Sequence, residues 1–247
     1  MVVAVVASIA LAGACVQATT GMGFALILTP VAFAFLSPVN AIITVTALGL
    51  ELNLLVLLGE RRRPKVAWRE LAPVVAAVVP GTVCGVLALR ALPKPALQIA
   101  VGVTVLAAVA LRVRAAGRAA SAGPGSTHAR LALGFATGAL TTSAGVSGPP
   151  LALWFSRRGL PAAEVRDSLT AMFLVVGLIA GVALLPELGH AHLNAALLAA
   201  ALCCVVGGHA LGSRAFRRLG SRSFEPLLLA MILVAGVASI AVGAGAL

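Results

Sequence analysis

The sequence predicts an all-α, polytopic membrane protein of two inverted repeats, each of about five helical segments. Broken or re-entrant helices are expected where the repeats meet. Three observations lead there. Of 247 residues, 61% are hydrophobic and 10% charged, against about 25% charged in an average soluble domain. With a mean hydropathy of +1.09, most of the surface must face lipid. Apolar segments alternate with short charged or Pro/Gly-rich connections. Finally, landmarks recur at one offset: Gly21 to Gly145 is 124 residues, and Pro38 to Pro161 is 123.

The elements follow in order. The first apolar segment is Val2–Ala18; no Lys or Arg precedes Arg61, so it reads as a retained helix and not a cleaved signal. A short segment, Met22–Leu36, leads to a turn at Ser37–Asn40. Ala41–Gly59, the charged loop Glu60–Glu70, Leu71–Leu92, a corner at Pro93–Pro95 and Ala96–Leu111 complete the first half. Residues 112–130, with Gly117, Gly123, Pro124 and Gly125 among arginines, read as a flexible basic linker. The second half holds Leu131–Ser143, Pro149–Phe155, Ser168–Leu185, Leu193–Gly212 and Pro226–Leu247. The division is therefore 1–111 as first membrane repeat, 112–130 as cytoplasmic linker and 131–247 as second repeat. The segment from Pro149 is too short for ~30 Å of hydrocarbon.

The net charge of +11 would suggest nucleic acid in a soluble protein. Here only 4% of residues are aromatic, so bases have no stacking platform. Sixteen of the 18 Lys and Arg fall in four clusters: Arg61–Arg69, Arg112–Arg130, Arg157–Arg166 and Arg214–Arg222. This is the pattern that fixes membrane orientation and meets anionic lipid. If all four lie in the cytoplasm, an even number of crossings separates each consecutive pair. Five segments per half satisfy this, with both termini outside. Ten crossings, and six crossings plus two re-entrant hairpins, both keep the parity and both stay open. An odd number per half turns the second copy upside down. Inverted repeats with discontinuous helices are a transporter pattern, with the site near the midplane.

Chemistry gathers at the two interruptions. Gly21, Gly23, Gly145 and Gly148 let backbone approach a ligand closely. Pro149 and Pro150 suit a first helical turn. A helix start aims free N–H groups and a positive dipole end at the break, which favours an anion. Thr19, Thr20, Thr141, Thr142, Ser143 and Ser147 add hydroxyls. The competing reading is close helix packing through small residues; the duplication favours a binding site.

Arg166, at a helix start beside the second break, can grip an oxyanion with two parallel hydrogen bonds. The alternative is an interfacial anchor paired with Asp167 or Glu164. Glu51 lies mid-segment, with Asn53 two residues on. A carboxylate there costs at least ~2.5 kcal/mol, so Glu51 and Asn53 are proton-coupling candidates, against a structural capping role. Arg90 is expected to snorkel to the outer interface, His209 to pack, and Trp68 and Trp154 to anchor at the interface.

Cys15, Cys84, Cys203 and Cys204 lie in apolar runs without metal-site spacing to a His. A transmembrane thiol-redox protein is the lesser alternative, and no Cys-x-x-Cys supports it. No P-loop occurs. No catalytic residue, metal or cofactor is expected, and the chain reads as a permease and not an enzyme. A homodimer stays open.

Gly145-Val-Ser-Gly-Pro-Pro-Leu151, Arg158-Gly-Leu-Pro161 and Arg166-Asp-Ser-Leu169 resemble the second repeat of the sulfite exporter family, the TauE/SafE type. Gly21-Met-Gly-Phe24-Ala-Leu with Pro30, and Pro38-x-x-Ala41, resemble its first repeat, with Met22 and Ala25 where the family is more Gly-rich. Phe24, Pro149 and the break glycines are the expected substrate-binding residues, with export by alternating access around them as the expected mechanism. The resemblance implies a bacterial inner-membrane permease for sulfite, organosulfonates or related small anions. It also makes Thr44 and Ser168 ligand hydroxyls; the neighbouring Val45 and Asp167 depart from the pattern and weaken strict symmetry.

Overall fold

The computed structural model describes residues 1–59, 64–115, 126–156, 162–219, 233, 237, 239–241 and 243–245. Thr19, Thr20, Pro149, Arg112, Arg157, Arg158, Arg222 and most of the segment from Pro226 lie outside the described side chains or residues. The described residues form helices and no strand: α1 (Val2–Thr20), α2 (Phe24–Phe35), α3 (Pro38–Gly59), α4 (Trp68–Ala91), α5 (Lys94–Ala115), α6 (Thr127–Ala144), α7 (Gly148–Ser156), α8 (Ala162–Leu184) and α9 (Ala195–Leu219). A short 3-10 turn, Leu185–His190, follows α8. Among the described residues, four stretches are long and apolar enough to cross a membrane: Pro38–Gly59, Leu71–Ala91, Glu164–His190 and Ala195–Arg214. The chain is a multi-pass membrane protein.

Each expected segment in the described residues is a helix, and the differences lie at the ends. The turn expected through Asn40 is shorter, because α3 starts at Pro38. Proline needs no N–H partner at a first helical position, and Ser37 Oγ accepts from the Asn40 N–H at 3.4 Å as its cap. Pro93 ends the corner in the same way, its carbonyl accepting from the Leu97 N–H at 3.2 Å. α8 starts at Ala162, six residues before the expected Ser168.

Small residues build the two closest seams. α4 and α6 run parallel, with Gly134 against Val74, Gly138 against Val78 and Gly85 against Ala139, so close that a Cβ on any of these glycines would collide with a carbonyl. Thr142 Oγ1 adds a bond to Thr82 O at 3.0 Å. α1 and α9 also run parallel, with Gly208 on Leu11 and Gly212 on Cys15. Glycine brings backbones together where hydrophobicity supplies no force between helices. Under the offset near 124, α6 corresponds to α1 and α9 to α4, so the two seams are counterparts.

These contacts fix helix directions. The Lys65 N–H donates to Asp167 Oδ2 at 2.8 Å and the Ala67 N–H to Ser168 Oγ at 3.0 Å, which joins the starts of α4 and α8. Gly21, at the end of α1, lies on Arg166. Lys65, Arg69, Arg114, Arg130, Arg166 and Arg214 therefore share one end of the bundle. The opposite end is tied by Asn40 Nδ2 to His192 O (3.1 Å) and Gln98 Nε2 to Phe33 O (3.2 Å). Val2, where α1 starts, and the described residues 239–245, where Ser239 Oγ donates to Gln98 O at 2.9 Å, lie there too. Arg90 is also there, but it does not simply snorkel. Its Nε meets Glu187 Oε1 at 2.6 Å, because Glu187 is almost fully buried and needs a cation.

At each interruption the chain reverses. Phe24 packs on Gly13, its Cα 3.4 Å from where a Gly13 Cβ would stand, so α1 and α2 form a hairpin. α2 has 12 residues and α7 nine, about 18 and 14 Å of helix, each short of the ~30 Å hydrocarbon core. The chain thus alternates direction at every described connection, with two arms too short to cross alone.

Candidate functional site: a cavity between two helix-hairpin tips

The first tip forms because α1 ends in a left-handed cap at Gly21 (φ 80°) and Gly23 precedes α2 at φ 121°. The second ends α6 at Gly145 (φ 64°), where the Gly145 N–H donates to Thr141 O and the Val146 N–H to Leu140 O in a Schellman-type pair. Glycine is required at all three, being the only positive-φ residues described. The tips meet. Thr29 Oγ1 of α2 donates to Gly145 O at 3.3 Å, and the Met22 methyl lies 3.5 Å from where a Gly148 Cβ would stand.

Between them is a partly open cavity of about 60 Å³, room for about four to six waters or one small oxyanion. Gln17, Gly23–Leu26 and the α3 residues Val45, Thr46, Gly49, Leu50 and Asn53 line one side. Thr141, Gly145–Gly148 and the α8 residues Phe173 and Gly177 line the other. Lining residues pair at an offset of 124: Gln17 with Thr141, Gly23 with Ser147, Phe24 with Gly148, Gly49 with Phe173, Asn53 with Gly177. The cavity is thus made of equivalent places in the two halves.

Its electrostatics come from neutral groups, since no ionisable side chain lines it among the described residues. Ile27 N–H bonds back to Gly23 O, but the first-turn N–H groups of Ala25 and Leu26 have no carbonyl within α2 to meet. They sit at the positive end of the helix dipole. Ser147 adds a hydroxyl. α7 offers less, because Pro150 carries no N–H.

Of the residues expected at the site, Gly23, Phe24, Gly145, Ser147, Gly148 and Asn53 line this cavity. Gly21 does not; it packs on the Arg166 side chain. Arg166 Nη2 donates to Ala18 O at 3.3 Å, a cation capping the C-terminal end of α1. It shares the face of α8 that carries Phe173, seven residues and about 10 Å along the helix, so it stands between the cavity and the basic end. Ser168 is fully buried and spent on the Ala67 N–H. Thr44 and Glu51 lie on the face of α3 opposite the cavity, since 3.6-residue periodicity puts them about half a turn from Gly49. Glu51 and Asn53 therefore do not act on one another, and Glu51 Oε2 is buried without a hydrogen-bond partner. The four cysteines are free thiols.

Sequence reading missed Gln17. The signal was present: it is the one amide in α1, at the position matching Thr141. The Gly-x-x-x-Gly spacings at Gly81–Gly85, Gly134–Gly138 and Gly208–Gly212 likewise announce the seams.

The family model described as Sulfite exporter TauE/SafE matches residues 5–239. A protein of Cupriavidus necator described as "Probable sulfite/organosulfonate exporter TauE" is 30% identical over 173 residues, 68% of this chain and 66% of that protein. The chain thus aligns with just under two thirds of that relative's length. No solved structure matches.

Proposed function

The chain belongs to the sulfite exporter TauE/SafE family, and from that premise we propose that it is a permease for a small sulfur oxyanion, sulfite or an organosulfonate. The observation that carries this reading is a cavity lined by residues of both hairpin tips, at positions 124 apart. Neutral donors and a helix start face a space of oxyanion size there. The two tips approach it from opposite ends of the bundle, the first beside Arg166 and the second beside Ile42 near the start of α3. This supports inverted copies, and access that alternates by movement of one half against the other. Arg166 draws the anion from the basic end toward the cavity. The basic end is cytoplasmic by the excess of Lys and Arg, which leaves both termini outside the bacterial inner membrane. Residues 1–111 and 131–247 are the two repeats, joined by 112–130. Export is the favoured direction, because an inside-negative potential drives an anion outward at about 2.3 kcal/mol per 100 mV. A proton on Glu51 is the candidate coupling ion; Thr44 and Ser168 act by packing α3 and α8 and not as ligands.

The test is labelled-sulfite flux in liposomes holding the purified protein. Flux is expected to fall in Ser147→Ala and in Arg166→Ala, the latter losing both the cap on α1 and the guiding charge. Wild-type flux equal to that of empty liposomes would overturn the reading.

A further inference from the structure

The cavity has one built polar device. Gln17 and Asn53 are both buried, at 5% exposure each, and both line it. Gln17 Nε2 donates to Asn53 Oδ1 at 2.9 Å. Asn53 Nδ2 donates to Gly49 O at 2.7 Å. Gln17 Oε1 accepts from the Phe24 N–H at 3.3 Å. This last bond fixes the set. A backbone N–H needs an acceptor, so the Gln17 oxygen must face Phe24 and its NH2 must face Asn53. Asn53 must then present its oxygen to Gln17 and its NH2 to Gly49. Each amide carries two N–H donors, and each has given one to the protein. One N–H of Gln17 and one of Asn53 remain, beside the first-turn N–H groups of Ala25 and Leu26.

Resting on the permease reading above, we propose that the Gln17–Asn53 pair is the specificity-determining clamp for the head group of the substrate, and that it selects a monoanion. Four neutral donors from one side can satisfy the oxygens of a singly charged sulfonate or hydrogensulfite. They supply no full positive charge, so a dianion brings two uncompensated charges into this space where a monoanion brings one, at a much higher desolvation cost. The opposite wall places Thr141 and Gly177 at the positions matching Gln17 and Asn53. Thr141 Oγ1 has already donated its proton to Thr137 O at 2.6 Å, and Gly177 has no side chain. The head group therefore lies on the first half, and any apolar substituent lies toward Phe173 and Val146. The pair also stitches the start of α2 to α1 and α3, so binding and tip position are coupled through the same bonds.

Competition against labelled-sulfite flux in proteoliposomes tests this without any variant. Methanesulfonate, a monoanion, is expected to inhibit at a concentration about tenfold or more below that of sulfate, a dianion, the ratio that one hydrogen bond to a charged group commands. Equal inhibition by the two overturns the proposal. Gln17→Glu and Asn53→Asp should each raise KM for sulfite by about tenfold or more, with Vmax and thermal unfolding changed far less. The exchange variant, Gln17→Asn with Asn53→Gln, should recover much of the affinity. Unchanged KM in both acidic variants also overturns it. A wild-type protein with no sulfite flux would instead sink the permease reading, so the two failures are distinguishable.

Discussion

The two hairpin tips occupy equivalent places, yet they are equipped differently. The first has a helix start with free N–H groups at Ala25 and Leu26, locked by Gln17. The second has Pro150 where an N–H would stand, a Ser147 hydroxyl, and a tip held by Thr29 from the opposite half. The two tips share one backbone shape, a helix ended by a left-handed glycine and restarted three residues later. Their side chains differ, with amide donors beside the first tip and a more apolar wall beside the second. Likeness of backbone therefore sets the shape of the cavity and leaves its chemistry free to be unequal.

The hardest way to break the comparison is to separate the helices that carry each tip. Gly138 supports the second tip through α4, and Gly208 supports the first through α9. Leucine at either position would drive side-chain atoms into a facing backbone carbonyl, Val78 O or Leu11 O. Backbone cannot rotate away as a side chain can, and overpacking of even a few methylenes costs about 1–3 kcal/mol. Gly138→Leu and Gly208→Leu are each expected to abolish recovery of monodisperse protein in size-exclusion chromatography. A variant that elutes normally would show that the seams are looser than described.

Next come the tips themselves. Gly21→Ala and Gly145→Ala both force a Cβ into left-handed backbone, at a cost of about 1–2 kcal/mol. The surroundings differ. At Gly21 the new methyl meets Arg166 Cγ at 2.8 Å, in a flexible side chain; at Gly145 it meets Thr29 Oγ1 at 2.9 Å and Ile42 at 3.3 Å, inside the packed core. Gly145→Ala should therefore lower the thermal midpoint more than Gly21→Ala. The reverse order would place the tighter constraint on the first tip. Thr29→Val probes the same junction more gently. It keeps the shape and removes the donor to Gly145 O, a loss of about 1 kcal/mol expected to appear as a smaller drop in midpoint.

How much of this was legible beforehand depends on the range of the interaction. Helix order, the two breaks and the grouping of basic segments follow from local patterns: apolar length, Gly and Pro punctuation, and charge. Gly23, Phe24, Gly145, Ser147 and Gly148 line the cavity, and their position at a break is a local signal. Ser168 and Thr44 misled, since a hydroxyl in an apolar helix signals a partner without saying which. For Ser168 the partner is the Ala67 N–H, 101 residues away. Glu51 and Asn53 looked like neighbours because they are two apart in sequence, and helical geometry sets them on different faces. Gln17 escaped because its meaning depends on Asn53 and Phe24 together, a contact that exists only once the hairpin has folded against α3.

The smallest expected effect sharpens the division of labour most. Gly177 is the counterpart of Asn53 and sits on the apolar wall. A methyl there would lie 2.8 Å from Leu50 Cδ2 and 3.2 Å from Leu50 Cγ, and Leu50 also lines the cavity. The leucine can turn aside, so Gly177→Ala should not unfold the protein. Alanine is favoured over glycine in a helix by up to about 1 kcal/mol, which offsets the crowding. What changes is the room beside Phe173. If the second half holds the substituent and the first half the head group, sulfite inhibition and flux should hardly move. Methanesulfonate should lose about tenfold in apparent affinity, the discrimination that a methyl-sized change in an apolar pocket commands. Equal losses for sulfite and methanesulfonate would mean that the head group, too, reaches the wall at Gly177, and the two tips would then share one role instead of dividing it.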